Sequence, residues 1–275
     1  MRLGVVRYLN TRPLIAGLES LAGLHLRKEV PAELIGTLER GETDAALCSS
    51  IDFQRADRDM VILPVGLLGC DGPTLTVQVF SQVPLASVRR LHADSESHTS
   101  CVLASILFSE CFGTNIEIVD GVAAQPSDME AVLLIGDKAV LAPPDAERFS
   151  YRMDLGEAWH SVTGLPFTFA CWMAPIPETE TARKRLETLS HVLDHQRRHN
   201  ATRIASLAAI EGREHGWPAD LSQHYLCTLL RFEWNASQQA GLELFWSKAA
   251  AASHLNRVKP LKLLEIPCRQ RLDSV

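Results

Sequence analysis

The sequence predicts an α/β protein built as two lobes with a ligand cleft between them. Three observations carry that reading. Strand-like and helix-like segments alternate through the N-terminal part. A break at Asp71-Gly72-Pro73 then opens a second unit of the same character. From Glu178 onward the chain reads almost wholly as helix. Alternation predicts mostly parallel sheets covered by helices. Late helices after an inserted unit predict a chain that leaves one lobe, builds a second and returns.

Each element has a local reason. "LGVVRYL" reads as a strand, and Pro13 suits the first turn of a helix over residues 13–21. "LHLRKEV" is a strand, and "PAELIGTLERGE" a helix opened by Pro31 and closed by Gly41. "TDAALCSSIDF" is a strand that ends in polar residues, and "MVILPVGLL" is another. The second unit holds the alternating run "TLTVQVFSQVPL", a strand in "VRRLHAD", a loop in "SESHTS" and a helix in "CVLASILFSECFG". That helix carries Val102, Leu103, Ile106, Leu107 and Phe112 on one side, with Gly113 as its stop. Strands follow in "NIEIVD" and "AVLLIGDKAVLA". The Trp-, Phe- and Met-bearing "YRMDLGEAWHSVTGLPFTFACWMAP" reads as packing at a cleft or lobe boundary. The late helices are "TETARKRLETLSHVLDHQRRHN", "TRIASLAAIEGREHG", "LSQHYLCTLL" and "QQAGLELFWSKAAAA".

Composition narrows the function. The 275 residues suffice for a large core, and 46% apolar with 22% charged residues is an ordinary globular profile. A net charge of -6 disfavours a nucleic-acid partner, because phosphate binding rests on clustered Lys and Arg. The densest basic stretch, Arg197-Arg198-His199, reads as the solvated C-terminal end of a charged helix. Seven scattered cysteines without a C-x-x-C spacing argue against a disulfide framework or a zinc site, and most read as small core residues. They fit a reducing compartment. Met1-Arg2 leads straight into "LGVV" without a secretory leader, and no run approaches the roughly 20 apolar residues of a membrane span. The expectation is a cytoplasmic protein with no membrane partner.

Four polar clusters fall at strand ends, where open α/β sheets bind ligands. They are Asn10-Thr11-Arg12, Ser49-Ser50, Ser97-His98-Thr99-Ser100 and Gly136-Asp137. Their chemistry suits an anion. Thr99 and Ser100 stand where a helix begins, so they serve as cap, as anion site, or as both. Asn10 and Thr11 fit turn chemistry or ligand binding equally, and Arg12 either grips a carboxylate or lies on the surface. Asp137 reads as a loop-structuring residue rather than a base, and Asp154 as a helix cap.

The catalytic inventory is thin. The chain has no G-x-S-x-G, H-E-x-x-H, P-loop or G-x-G-x-x-G motif. His191, His195 and His199 recur at helical spacing, but on an Arg- and Glu-rich helix that reads as a solvated face. No metal and no cofactor is implied.

"YLNTRPL" closely resembles the signature of the chorismate dehydratases of the futalosine route to menaquinone. "DAALCSSIDF", "DGPTLTVQVFSQVPL", "SESHTS", "LLIGDKAV", "DLGEAWHSVTGLPFTFACW" and "YLCTLLRFEWNASQQAGLELFW" are similar to that family in the same order. The resemblance implies a two-lobed periplasmic-binding-protein-like (type II) fold. Lobe one is then residues 1–75 plus 176–275, and lobe two residues 76–175. It implies loss of water from chorismate, the small-molecule partner, to give 3-(1-carboxyvinyloxy)benzoate. Asn10 matches the family's active-site Asn. The second catalytic position is a serine in a G-x-x-x-S pattern, where Gly72-Pro73-Thr74-Leu75-Thr76 places Thr76. Thr76 keeps the hydroxyl and adds a methyl group. His98 stands where an arginine is common. The expected substrate-binding residues are Thr11, Arg12, Ser49, Ser50, Asp71, Gly72, Ser97, His98, Thr99, Ser100, Gly136 and Asp137. The alternatives are a binding protein for a small carboxylate and the sister enzyme that forms dihydroxynaphthoate.

Overall fold

A computed structural model describes residues 1–93, 97–121 and 129–266. The chain opens with β1 (Arg2–Val6), a 3-10 turn over Leu9–Thr11, and the short helix α1 (Arg12–Ile15). Then follow β2 (His25–Glu29), α2 (Pro31–Glu39), β3 (Ala45–Ser49), α3 (Asp52–Arg55) and the long β4 (Met60–Cys70). The second unit holds β5 (Val77–Ser81), β6 (Arg90–Ala93), α4 (His98–Phe112), β7 (Glu117–Asp120), β8 (Ala131–Ile135), α5 (Lys138–Leu141) and β9 (Tyr151–Asp154). Next come α6 (Leu155–Thr163) and β10 (Phe167–Pro175). The chain closes with α7 (Glu180–Ala201), α8 (Ile204–Glu214), α9 (Ala219–His224), a π-helical turn over Tyr225–Leu229, β11 (Leu230–Arg231) and α10 (Ala236–Ala251).

Two sheets organise these elements. One has six strands in the order β11-β4-β10-β3-β1-β2, the other five in the order β7-β6-β8-β5-β9. The expectation of mostly parallel sheets is corrected. β1 pairs in parallel with β2 and β3, but β10 runs antiparallel to β3 and β4, and β11 antiparallel to β4. The second sheet is mixed in the same way, with β5 antiparallel to β8 and β9 and β6 parallel to β7 and β8. The cause is the route of the chain: β4 carries it out of the first sheet, and β10 brings it back alongside in the opposite sense.

That return also moves a boundary. Residues 167–175 were expected in the second lobe, yet β10 is central to the first sheet, with Cys171 opposite Cys48 and Met173 opposite Ile62. Every residue of β10 but the last is buried, as a strand covered on both faces must be.

Three local expectations are corrected as well. The helix over residues 13–21 is a single turn, because Gly17 takes φ +92 and turns the chain. "AVLLIGDKAVLA" is not one strand; β8 stops at Ile135 and a helical turn follows from Lys138. "LSQHYLCTLL" is helical only to His224, then widens into the π turn. Gly113 does end α4, at φ +63.

One apolar cluster runs through both sheets. It links Cys48, Leu67 and Cys171 of the first to Val79, Leu91 and Leu133 of the second, through Trp159, Phe167 and Phe245. The three rings pack edge to face, with Phe167 at 5.2 Å from Trp159 and 5.0 Å from Phe245. Cys48, Cys70 and Cys171 are core residues, whereas Cys111 and Cys227 are exposed; Cys268 lies outside the described residues. No helix among the described residues is long and apolar enough to cross a membrane.

Candidate active site

A small cavity of about 50 Å³ lies between the two sheets. The ends of β1, β3, β4 and β8 converge on it, joined by the N-terminus of α4 and the π turn. A wider hollow bordered by Met1, Asp44, Pro175 and Glu178 sits at the opposite ends of β1, β3 and β10.

Of the expected residues, Asn10, Ser49, Thr76, Ser97, Ser100 and Gly136 line this cavity. Asn10 is presented by a turn that its neighbours hold. Thr11 Oγ1 donates to the carbonyls of Val6 at 2.9 Å and Tyr8 at 3.0 Å. The Arg12 guanidinium is paired with Glu211 at 2.7 Å and Glu19 at 3.2 Å. Thr11 and Arg12 therefore anchor the turn and do not line the cavity. Asn10 Oδ1 is buried without a hydrogen-bond partner, a costly state that points to a binding role.

Ser50 does not line the cavity, and its Oγ lies 3.4 Å from Thr99 Oγ1. Ser49 alone of that pair reaches the cavity.

Ser97 caps α4 through its Oγ, which accepts from Ser100 N at 3.3 Å and donates to Ser100 Oγ at 2.7 Å. Both hydroxyls also line the cavity, so cap and site coincide. Thr99 and His98 instead reach across to the first sheet's unit. Thr99 Oγ1 accepts from Ile51 N at 3.2 Å, and His98 Nδ1 lies 2.8 Å from Asp52 Oδ1. Neither lines the cavity. Ser95 and Glu96 of "SESHTS" lie outside the described residues.

The segment between β4 and β5 carries Thr76. Asp71 pairs with exposed His160 at 3.0 Å and Gly72 turns the chain; neither lines the cavity. Thr74 and Thr76 do, on either side of Leu75, whose φ is +65. A leucine rarely adopts that conformation. Asp154 holds it there: its Oδ2 accepts from Leu75 N at 2.7 Å, Thr74 N at 2.8 Å and Gln78 Nε2 at 2.6 Å. Its Oδ1 caps α6 by accepting from Gly156 N at 2.9 Å and Glu157 N at 3.1 Å. The expected cap is thus also the clamp of the cavity segment.

Gly136 sits at φ +62 with the Tyr8 ring 3.1 Å from where a Cβ would stand. A side chain there would crowd that ring on a backbone that residues other than glycine rarely adopt. Asp137, expected among the substrate-binding residues, holds Trp217 and does not line the cavity. Its Oδ1 accepts from Trp217 Nε1 at 3.1 Å, and burial raises its pKa.

The sequence reading missed Tyr225. Its hydroxyl lies 2.6 Å from Thr76 Oγ1, and its ring stacks on Trp217 at 4.9 Å. Burial pushes its pKa well above the usual value. Tyr225 was read as one residue of an ordinary helix; nothing in its spacing marks it. Tyr8 and Thr74, inside motifs that were singled out, also line the cavity.

Comparison with known proteins fits this architecture. The family described as "Menaquinone biosynthesis" matches residues 1–251. A chorismate dehydratase of Thermus thermophilus is 30% identical over 258 residues, which cover 88% of this chain and 93% of the relative. A protein of Archaeoglobus fulgidus superposes with a TM-score of 0.69 at 12% identity, over 92% of this chain and 98% of its own. The periplasmic aliphatic sulphonate binding protein of Escherichia coli superposes with a TM-score of 0.64 at 14% identity, over 99% and 98%. A Candida albicans protein described as having the generic periplasmic binding protein fold gives 0.60 at 8% identity, over 98% of each chain. These likenesses show the two-lobed periplasmic-binding-protein-like fold. The length of the family match and the identity to the Thermus relative show that the chain belongs to the menaquinone-biosynthesis family.

Proposed function

We propose that this chain is a chorismate dehydratase and that the cavity between the sheets is its active site. The observation that carries the reading is the chemistry of the wall. Among the described residues, its polar side chains are an amide and hydroxyls, with no Asp, Glu, His, Lys or Arg. Such a wall suits a substrate that brings its own charges. Chorismate carries two carboxylates on a ring that becomes aromatic once water is lost.

The reaction balances as one proton and one hydroxide. A C–H bond breaks at the ring carbon bearing the ether, and its electron pair delocalises through the diene toward the ring carboxylate. The adjacent C–O bond breaks, and the ring gains its third double bond. Fixed donors in a water-poor site stabilise the developing charge, and orientation supplies much of the rest. Asn10, whose Oδ1 has no partner in the protein, orients the substrate. The Thr76 hydroxyl assists the departing hydroxide. Ser97 and Ser100 at the start of α4 receive a carboxylate, favoured by the helix dipole. The substrate's own enolpyruvyl carboxylate takes the proton, in keeping with a wall whose described residues offer no carboxylate or imidazole. A cytoplasmic location belongs to the same reading, supported by the buried thiols Cys48, Cys70 and Cys171.

The test is purified protein with chorismate, followed by mass spectrometry and ultraviolet absorption. Loss of one water with an aromatic spectrum, absent from a boiled control, is expected. Unchanged chorismate in the presence of folded protein would overturn the proposal.

A further inference from the structure

Tyr225 begins the π-helical turn Tyr225–Leu229. Such turns interrupt regular helix at an energetic cost and concentrate at functional sites. Here the wider turn follows directly on α9 and brings the phenol to the cavity wall beside Asn10 and Thr76. The residue is 1% exposed, so its hydroxyl needs partners within the protein.

Those partners define a direction. The phenol oxygen and Thr76 Oγ1 are 2.6 Å apart, so one proton lies between them. The buried phenol hydrogen needs an acceptor, and Thr76 Oγ1 lies within hydrogen-bond reach of it. The phenol is therefore set to donate to Thr76. Thr76 then has its own hydroxyl hydrogen to give elsewhere. Its other acceptor within the protein is the Thr74 carbonyl at a long 3.4 Å.

We propose that Tyr225 is a positioning residue for the dehydration, donating to Thr76 Oγ1 so that the Thr76 hydroxyl hydrogen turns into the cavity toward the leaving group. The proposal rests on the dehydratase reading. No bond to Tyr225 breaks: as the C–O bond lengthens, Thr76 donates more strongly to the departing oxygen, and the phenol donates more strongly to Thr76. Chains of hydrogen bonds strengthen one another in this way. Packing alone does not require the hydroxyl, since phenylalanine would fill the same space and stack on Trp217.

The test is steady-state kinetics on chorismate for the wild type, Tyr225→Phe, Thr76→Val, Thr76→Ser and the double variants. Tyr225→Phe should lower kcat about 10- to 100-fold, the scale of groups that act behind a contact residue, with KM nearly unchanged. It should cost nothing further on Thr76→Val, and regain its full cost on Thr76→Ser, which keeps the hydroxyl. Full activity in Tyr225→Phe, or an undiminished loss on Thr76→Val, overturns the role of Tyr225 alone. A wild type that leaves chorismate intact overturns the dehydratase reading and this proposal with it. Should Tyr225→Phe fail to fold, fluorotyrosine labelling decides. The fluorine resonance of residue 225 should move in Thr76→Val, and an unmoved resonance overturns the proposal.

Discussion

Asp154 Oδ2 lies 2.7 Å from the backbone nitrogen of Leu75 and holds that residue at φ +65. Leu75 lies on the crossing after β4, and Asp154 ends β9, where the chain starts its return toward β10. A single carboxylate thus ties the outgoing crossing to the start of the return and sets the strained segment that presents Thr74 and Thr76. A non-glycine residue in the left-handed region costs about 1–3 kcal/mol and persists only where its surroundings enforce it.

Asp154→Ala should therefore injure both stability and activity. It removes the cap of α6 and leaves the N–H groups of Thr74 and Leu75 unpaired, a loss of about 2–4 kcal/mol. Urea unfolding measures the first effect and kcat/KM the second. Retention of full activity would show that Thr74 and Thr76 hold their places without the clamp.

Gly156 should tolerate no side chain. A Cβ there would stand 2.3 Å from Thr74 Cγ2 and 2.6 Å from both Cys70 Sγ and the Gly72 carbonyl oxygen. Gly156→Ala should cost about 1–3 kcal/mol by overpacking and displace Thr74 from the cavity wall. Thermal unfolding together with chorismate turnover checks both, and a variant indistinguishable from wild type would contradict the close approach.

Asn10→Ala should separate function from stability. Its Oδ1 has no partner to lose, so the fold should change by no more than about 1 kcal/mol. Turnover should fall about 10²- to 10³-fold, the cost of removing one preorganised polar group from a reacting centre. Near-normal turnover would remove Asn10 from the catalytic assignment.

His98 and Asp52 should make stability depend on pH. The hydrogen bond to Asp52 holds the His98 pKa above its ordinary 6.5. Burial outweighs His98 and holds Asp52 above its ordinary 3.8. Both groups therefore bind protons more tightly in the folded chain than in the unfolded one. The stabilisation from each is complete below its ordinary value and is lost as pH rises through its raised folded value. Stability should fall as pH climbs above 6.5, and His98→Asn should flatten that slope. Denaturant midpoints across a pH series measure it; parallel curves would disprove the coupling.

Much of this molecule was legible in its sequence. The buried runs of β3 and β4, the stop at Gly113 and the helices after Glu178 follow from patterns within a few residues. The polar strand ends were legible too, and Asn10, Ser49, Ser97, Ser100 and Gly136 do meet at one cavity. Which neighbours would turn away was not. Thr11 and Arg12 adjoin Asn10 in sequence, but one bonds backward to Val6 and the other is taken up by Glu211 from α8.

The sequence by itself determined the alternation of elements, their caps and stops, and the polar residues at the strand ends, because those depend on short-range periodicity and backbone preference. Tertiary structure alone decided that β10 returns antiparallel, that Asp154 reaches back to Leu75, and that Tyr225 meets Thr76 across 149 residues of chain. Such contacts come from how two sheets close over a shared core, and no local pattern encodes which hydroxyl will then face which.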